Sequence, residues 1–125
     1  MTLHRIRLEL ARSHDFPEGS PHHGYEFVLP LGADGKIDME AWPDARQLCT
    51  VHRFWTGEDD LTGTLIHSHN RWSFSYKSGE IHEEPIPHFQ DHLFREGEYL
   101  AVREQDEKTY TFKIVSVTPL TIAPI

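Results

Sequence analysis

The stretch TLIHSHNRWSFSY, residues Thr64–Tyr76, indicates the fold more clearly than any other part of the chain. Side chains of a β-strand alternate between two faces with a period of two. If the stretch is a hairpin that turns at Asn70 and Arg71, its histidines and aromatic residues fall on one face. We therefore expect these opposed pairs across the hairpin: Leu65 with Tyr76, His67 with Phe74, and His69 with Trp72.

Alternating polar and apolar residues predict further strands on both sides of this hairpin. These are Leu3–Arg12, Tyr25–Leu31, Thr50–Trp55, Glu98–Glu104 and Thr109–Val117. Only Met39–Cys49 spaces its apolar residues at helical intervals, and Pro43 favours a helix that begins at Trp42. The sequence thus predicts a mainly β domain (β-rich α+β). We expect a small, partly open antiparallel barrel or bent sheet of about seven strands with one short helix.

Two irregular segments, Ser13–Gly24 and Ser78–Arg95, separate these elements. The second is longer than a usual connection, and long ordered loops often carry function. We expect a single helical turn in it, near His88–Leu93. A chain of 125 residues has the length of one domain, here 1–125. Its apolar tail, 119–125, is expected either to lie against the body or to be loose.

Charge and cysteine content narrow the classes of function. The formal net charge is -8, with 12 basic and 20 acidic residues and no basic stripe, so a nucleic-acid partner is not expected. No apolar run approaches the roughly 18 residues that span a bilayer, so no membrane partner is expected. The lone Cys49 fits a reducing compartment, and the first twelve residues lack a signal-peptide pattern. We expect a cytoplasmic protein that is a monomer or a homodimer.

Histidine is the residue type most in excess, with ten in the chain. His67 and His69 would lie on one face of a strand, about 7 Å apart at the backbone. His88 and His92 would share one face if their segment is helical. Imidazoles in this arrangement suit zinc or another divalent transition metal. The simpler interpretation is that the His-x-His pair packs against the aromatic residues of the hairpin.

The metal hypothesis implies an enzyme as an alternative function. A metal-bound water would be the nucleophile, and Glu83 or Glu84 would accept its proton. The His-x-His pair is superficially similar to the metal motif of cupins, in which a downstream glutamate completes the site. Where a cupin has that glutamate, this chain has Ser73 and Phe74.

Aromatic residues offer a second kind of candidate site. Trp72, Phe74 and Tyr76 would hold a small planar ligand or a partner's apolar side chain if they line an open barrel mouth. The glycine-containing loop before Tyr25 can present backbone N–H groups to an anion, which makes His23 and Tyr25 further candidate ligand contacts. The simpler interpretation is that the aromatic residues form the core.

A resemblance runs through almost the whole chain. Its residues are Phe16-Pro17-x-Gly19-Ser20, His23-Gly24-Tyr25, Asp34-Gly35, Trp42, Cys49, Arg53-Phe54-Trp55-x-Gly57-Glu58 and His92-x-Phe94-x-x-Gly97-Glu98-Tyr99. This succession resembles a family of small uncharacterised bacterial proteins, which implies a free-standing bacterial domain and no particular activity. We expect a non-enzymatic binding or interaction module for a protein or a small-molecule ligand.

Overall fold

Residues 2–120, the part that the computed structural model describes, form one antiparallel sheet. The strands are β1 (Thr2–Leu10), β2 (Ser20–Leu31), β3 (Thr50–Trp55), β4 (Leu61–Ser68), β5 (Arg71–Tyr76), β6 (Ile81–Glu83), β7 (Tyr99–Arg103) and β8 (Thr109–Pro119). Their order is β6-β5-β4-β3-β2-β1-β8-β7, and the sheet curls into a half-barrel. The predicted mainly β class is confirmed. The unexpected strand is β6, which lies in a segment predicted to be irregular.

The hairpin of β4 and β5 forms in a different register from the predicted one. The observed pairs are His67 with Trp72, Leu65 with Phe74, and Gly63 with Tyr76. The two turn residues are His69 and Asn70, with φ of 53° and 62°. Positive φ at both positions is what a two-residue type I′ turn requires. The predicted pairs were wrong because the turn comes one residue earlier, which moves His69 out of the strand.

The helical content is small. Helix α1 (Trp42–Ala45) is a single turn, continued by a 3₁₀ turn over Arg46–Leu48. It begins at Trp42, as the proline at position 43 favours, while Asp38 Oδ1 accepts hydrogen bonds from backbone N–H groups just before it. The helical turn expected near His88–Leu93 is a 3₁₀ turn over Phe89–Asp91. Within residues 2–120, no helix is long and apolar enough to cross a membrane.

The end of the chain is only partly described. Leu120 donates its backbone N–H to the carbonyl oxygen of Leu3 at 2.8 Å, so the chain stays against β1 to that point. The rest of the predicted tail, 121–125, lies outside the described residues.

The concave side of the sheet holds the core. Inward-facing residues of the strands supply most of it, including Ile6, Leu8, Phe27, Phe74 and Phe112. The segment after β6 then folds across the concave side. Its Phe89 ring lies 5.4 Å from the rings of both Phe27 and Trp72. The segment predicted to be an irregular loop is therefore part of the core.

At two glycines, an added side chain would collide with the backbone of the neighbouring strand. A Cβ atom at Gly24 would lie 2.0 Å from the carbonyl oxygen of Leu8, and one at Gly63 would lie 2.0 Å from that of Ser75. No side chain is tolerated at such distances. Glycine at these positions therefore permits the backbone approach within the curled sheet.

The two edge strands, β6 and β7, come close to each other across a gap that we call the seam. The backbone N–H of Arg103 donates to Pro85 O at 2.8 Å, and its Nη2 donates to Glu83 O at 2.9 Å. Farther along, Gln105 Nε2 donates to Glu80 Oε2 at 2.8 Å. These bonds hold the edges together without a strand ladder between them.

Candidate functional site

A buried polar network lies inside the half-barrel, and we call it the clasp: Tyr25, Arg53 and Glu104. Each of the three is at most 5% exposed. Arg53 Nε donates to Glu104 Oε1 at 2.9 Å, and its Nη2 lies 2.8 Å from the same oxygen. The hydroxyl of Tyr25 donates to Glu104 Oε2. Both carboxylate oxygens of Glu104 are therefore engaged by side chains from other strands.

Strand alternation explains why these charged residues lie inside. Arg53 is two residues after the buried Val51 on β3, so both side chains face the concave side. Glu104 directly follows β7, where the buried residues are Leu100 and Val102, and it continues their period of two. Three strands separate β3 from β7 in the sheet order. The clasp therefore crosses the concave side and ties the β7 edge to the middle of the sheet.

Burial and charge fix the protonation states in the clasp. Burial raises the pKa of Tyr25, and the neighbouring Glu104 carboxylate raises it further, so the hydroxyl stays a donor. Burial would lower the pKa of Arg53, but the charges of Glu104 and Tyr25 and the hydrogen bonds to Glu104 and Glu58 together outweigh it, and the net shift is upward. The guanidinium therefore remains charged. A buried charge that keeps its partner in this way holds a fixed geometry.

The outer side of the Arg53 guanidinium faces a cleft of about 400 Å³, which we call the clasp cleft. Arg53 Nη1 donates to Glu58 Oε1 at 3.0 Å, and the guanidinium lies over the Trp55 ring at 4.6 Å. The Glu58 side chain is 53% exposed, in contrast to the buried Glu104. Asp106 and Tyr110 complete the rim. The cleft thus has a rigid charged floor, aromatic walls and carboxylates at its mouth.

Tyr76 adds a buried hydroxyl near the clasp. Its side chain is 3% exposed, and among the described residues its hydroxyl has no hydrogen-bond partner. Burial raises its pKa, while the positive charge of Arg53 acts in the opposite direction and Glu104 adds to the increase. A buried polar group without a partner is uncommon in folded proteins. Its position extends the polar region of the clasp toward β5.

The five residues predicted to contact a ligand are all buried: Trp72, Phe74, Tyr76, His23 and Tyr25. Trp72 and Phe74 pack in the aromatic core. The His23 ring lies 4.8 Å from Phe16 and 4.6 Å from Trp55, and its Nδ1 bonds the Ser20 hydroxyl at 2.7 Å. Of the five, only Tyr25 belongs to the clasp, and Tyr76 lies near it. The five do not line one open mouth, and their role as ligand contacts remains a prediction.

The first two predicted metal ligands lie in different surroundings. The His67 ring stacks on Trp72 at 4.5 Å, and burial lowers its pKa. Its Nε2 is buried without a hydrogen-bond partner in the described chain. His69 is instead an exposed turn residue. His67 therefore packs against the aromatic core. The packing interpretation expected this of both histidines, but His69 does not pack there.

The other two predicted ligands lie near the surface. His88 is exposed, with φ of 55°, and its Nδ1 is 4.0 Å from Asp91 Oδ2. His92 Nε2 lies 3.1 Å from the carbonyl oxygen of Pro87. Across residues 2–120, no three His, Cys, Asp or Glu side chains are placed to hold one metal ion. The zinc site and the metal enzyme that follows from it therefore remain predictions from the sequence.

The residues that form the clasp carried little signal in the sequence. In the sequence, Arg53 stands out only within the family resemblance, and Glu104 only as the end of a predicted strand. The signal that could have found them is alternation, which places Arg53 on the apolar face of β3 and Glu104 on the apolar face of β7. Cys49 is buried, and burial raises the pKa of its thiol to about 12. That thiol is therefore unsuited to act as a nucleophile.

Comparison with protein-family models, with curated proteins and with solved structures gave no match.

Proposed function

We propose that this protein is a non-enzymatic binding module whose clasp cleft takes a positively charged group. The ligand is a small organic cation or a basic side chain of a partner protein. The observation that carries the proposal is the ion-paired clasp at the floor of a cleft with aromatic walls and partly exposed carboxylates. A cytoplasmic bacterial location is part of the same proposal, supported by the lone cysteine and by the family resemblance.

Charge in the cleft favours a cation. Glu58, Glu104 and Asp106 supply three carboxylates against the single guanidinium of Arg53, which leaves two net negative charges. Glu104 already compensates Arg53, so the charges of the two rim carboxylates remain to attract a ligand, although Glu58 also accepts one hydrogen bond from Arg53. The net charge of -8 on the whole chain also attracts cations toward the surface.

The walls of the cleft favour a cation with an apolar or planar body. The Trp55 and Tyr110 rings meet edge to face at 5.7 Å. One face of Trp55 is already taken by Arg53, whereas Tyr110 borders the open side of the cleft. Aromatic faces attract ammonium and guanidinium groups, by about 0.5–1 kcal/mol at exposed sites. A cation in this cleft is therefore attracted weakly by the aromatic rings and, in addition, by the two rim carboxylates.

The chemistry of the clasp supports binding rather than catalysis. A general acid or base works best when its pKa lies near the operating pH. The pKa of Tyr25 is well above its usual value, and that of Arg53 is raised as well. Both groups already donate to Glu104. The clasp is therefore suited to hold a fixed charge pattern, not to move a proton.

A titration followed by NMR tests the proposal, with agmatine as the cationic probe and glutarate as the anionic one. We expect agmatine to shift the indole N–H signal of Trp55 and the amide signals of residues 104–106. Asp106→Asn removes one rim carboxylate and should weaken agmatine binding about three- to tenfold, which corresponds to about 0.7–1.4 kcal/mol. Asp59→Asn is the matched control, because Asp59 is an exposed carboxylate that does not line the cleft.

Three outcomes would overturn the proposal. One is a failure of agmatine to shift these signals at millimolar concentration. The second is equal weakening by Asp106→Asn and Asp59→Asn, which would show that only the overall charge matters. The third is tighter binding of glutarate, which would show that Arg53 accepts an anion in place of Glu58.

A further inference from the structure

We propose that the seam between β6 and β7 binds a short, extended, basic segment of a partner protein, which adds as a strand to the free edge of β6. This surface differs from the clasp cleft and extends beyond it, although Glu104 and Gln105 line both. The proposal rests on the backbone geometry of β6, on the shape of the seam and on its charge.

The hydrogen bonds between β5 and β6 determine which backbone groups of β6 are free. Tyr76 N–H donates to Glu80 O and Glu84 N–H donates to Trp72 O, both at 2.9 Å. In an antiparallel ladder, alternate residues direct their backbone groups toward the same neighbour. Ile81, which lies one residue after Glu80, therefore directs its N–H and C=O into the seam. No backbone hydrogen bond of Ile81 crosses the seam among the described residues.

The seam is a V-shaped groove. At its narrow end, the backbone bond between Arg103 and Pro85 brings the two edges to ordinary strand spacing. At its wide end, the only bond across the seam among residues 2–120 joins the side chains of Gln105 and Glu80, and both are exposed. A groove of about 590 Å³ opens between residues 80–83 and 103–107. A segment that displaces the exposed Gln105–Glu80 bond gains access to the free edge of β6.

Charge and exposed apolar surface specify the segment. The groove is lined by four carboxylates, those of Glu80, Glu83, Glu104 and Glu107. Glu104 is compensated by Arg53, so three carboxylates remain against the single guanidinium of Arg103. His82 adds no positive charge at neutral pH, since burial and the nearby Arg103 and Arg53 lower its pKa. The Ile81 side chain is 61% exposed at the same edge. An extended segment that alternates basic and apolar residues matches both features.

The test uses the blocked hexapeptide Lys-Val-Lys-Val-Lys-Val and its Glu-Val counterpart, each titrated into the full chain by NMR. We expect the lysine peptide to shift the amide signals of Ile81 and Glu83 and to bind at least tenfold more tightly than the glutamate peptide. Two further peptides carry N-methyl groups on all lysines or on all valines. Because only one set of alternate amides faces β6, one of them should lose at least tenfold in affinity and the other little.

Variants separate this surface from the clasp cleft. Ile81→Thr should weaken the lysine peptide three- to tenfold, while Ile66→Thr, at an exposed isoleucine on an inner strand, should have no effect. Asp106→Asn should weaken agmatine and leave the peptide unchanged. Equal loss with both N-methylated peptides, or none with either, would overturn strand addition. Shifts confined to Trp55 and residues 104–106 would instead assign the peptide to the clasp cleft and overturn the seam proposal.

Discussion

In the clasp, polar residues that are distant in sequence meet in space, whereas at the β4–β5 turn, histidines that are close in sequence are separated. Arg53 and Glu104 are 51 residues apart in the chain, yet their side chains meet within the core. His67 and His69 are two residues apart, yet one stacks on Trp72 and the other lies in an exposed turn. Proximity in sequence therefore says little here about proximity in space. What brings polar groups together is burial, because a buried charge must find a partner.

Strained backbone, by contrast, is concentrated near the β4–β5 turn and not in the clasp. Within residues 2–120, four of the five non-glycine residues with positive φ line one cavity of about 330 Å³ beside the β4–β5 turn. They are His69, Asn70, Glu84 and His88. Asparagine and histidine are among the residues that tolerate this conformation best. The turn region thus has unusual backbone and exposed side chains, whereas the clasp has regular strands and buried charges.

The strongest test of this contrast is Glu104→Gln. It removes the buried charge that compensates Arg53 and leaves the guanidinium paired with the partly exposed Glu58 instead. We expect the free energy of unfolding to fall by about 3–5 kcal/mol, as measured by urea denaturation. Glu107→Gln, in the exposed turn after β7, is the control and should change it by less than about 0.5 kcal/mol.

A double variant shows what the charges themselves contribute. Arg53→Met with Glu104→Leu removes both partners and replaces them by apolar side chains, so we expect a smaller loss than with Glu104→Gln alone. If the single variant costs less than about 1 kcal/mol, Arg53 finds other partners and the clasp is not a fixed floor for the cleft. A change in the m-value would indicate that the variant is partly unfolded.

The fold could be predicted from sequence wherever one rule decided the outcome. Period-two alternation placed Ile6, Leu8, Leu100 and Val102 correctly on the buried face, because their strands bury only one of their two faces. The register of β4 and β5 depended on φ at the turn, which alternation does not contain, since a two-residue shift keeps every side chain on its face. The φ angles of the turn residues therefore determine the register of β4 and β5, which the alternation pattern leaves open.

The candidate site was harder to predict because it depends on contacts between distant strands. Alternation places Arg53 and Glu104 on the apolar face of their strands, but it does not say that β3 and β7 face each other. That follows only from the curl of the sheet. Strand β6 was not predicted because its three residues are too few to show a period of two.

Acid should weaken the folded state through histidines that burial keeps neutral. The pKa of His67 is lowered by burial, and that of His82 by burial and by nearby arginines. Below the ordinary histidine pKa of about 6.5, the unfolded chain binds protons that the folded chain does not. Stability is therefore complete above that pH and falls below it, by at most about 1.4 kcal/mol per pH unit for each group.

The comparison that checks this uses urea denaturation at pH 7.5 and pH 5.5. In His67→Phe the ring that stacks on Trp72 is kept and the titrating group is lost, so the decrease between the two pH values should be smaller than in the wild type. His88→Gln, at an exposed histidine of the turn region, should leave the decrease unchanged. An equal decrease in all three proteins would show that His67 does not contribute.

The smallest expected effect concerns the turn itself. Asn70 has φ of 62° at the second position of the type I′ turn, where glycine is the most favoured residue. We expect Asn70→Gly to stabilise the fold by about 0.5 kcal/mol and Asn70→Ala to destabilise it by about 1 kcal/mol, measured by thermal unfolding. The two variants differ mainly in how they tolerate positive φ. A loss above about 1 kcal/mol with glycine would mean that the Asn70 side chain itself stabilises the cavity beside the turn, and that this region is organised by side-chain contacts as the clasp is.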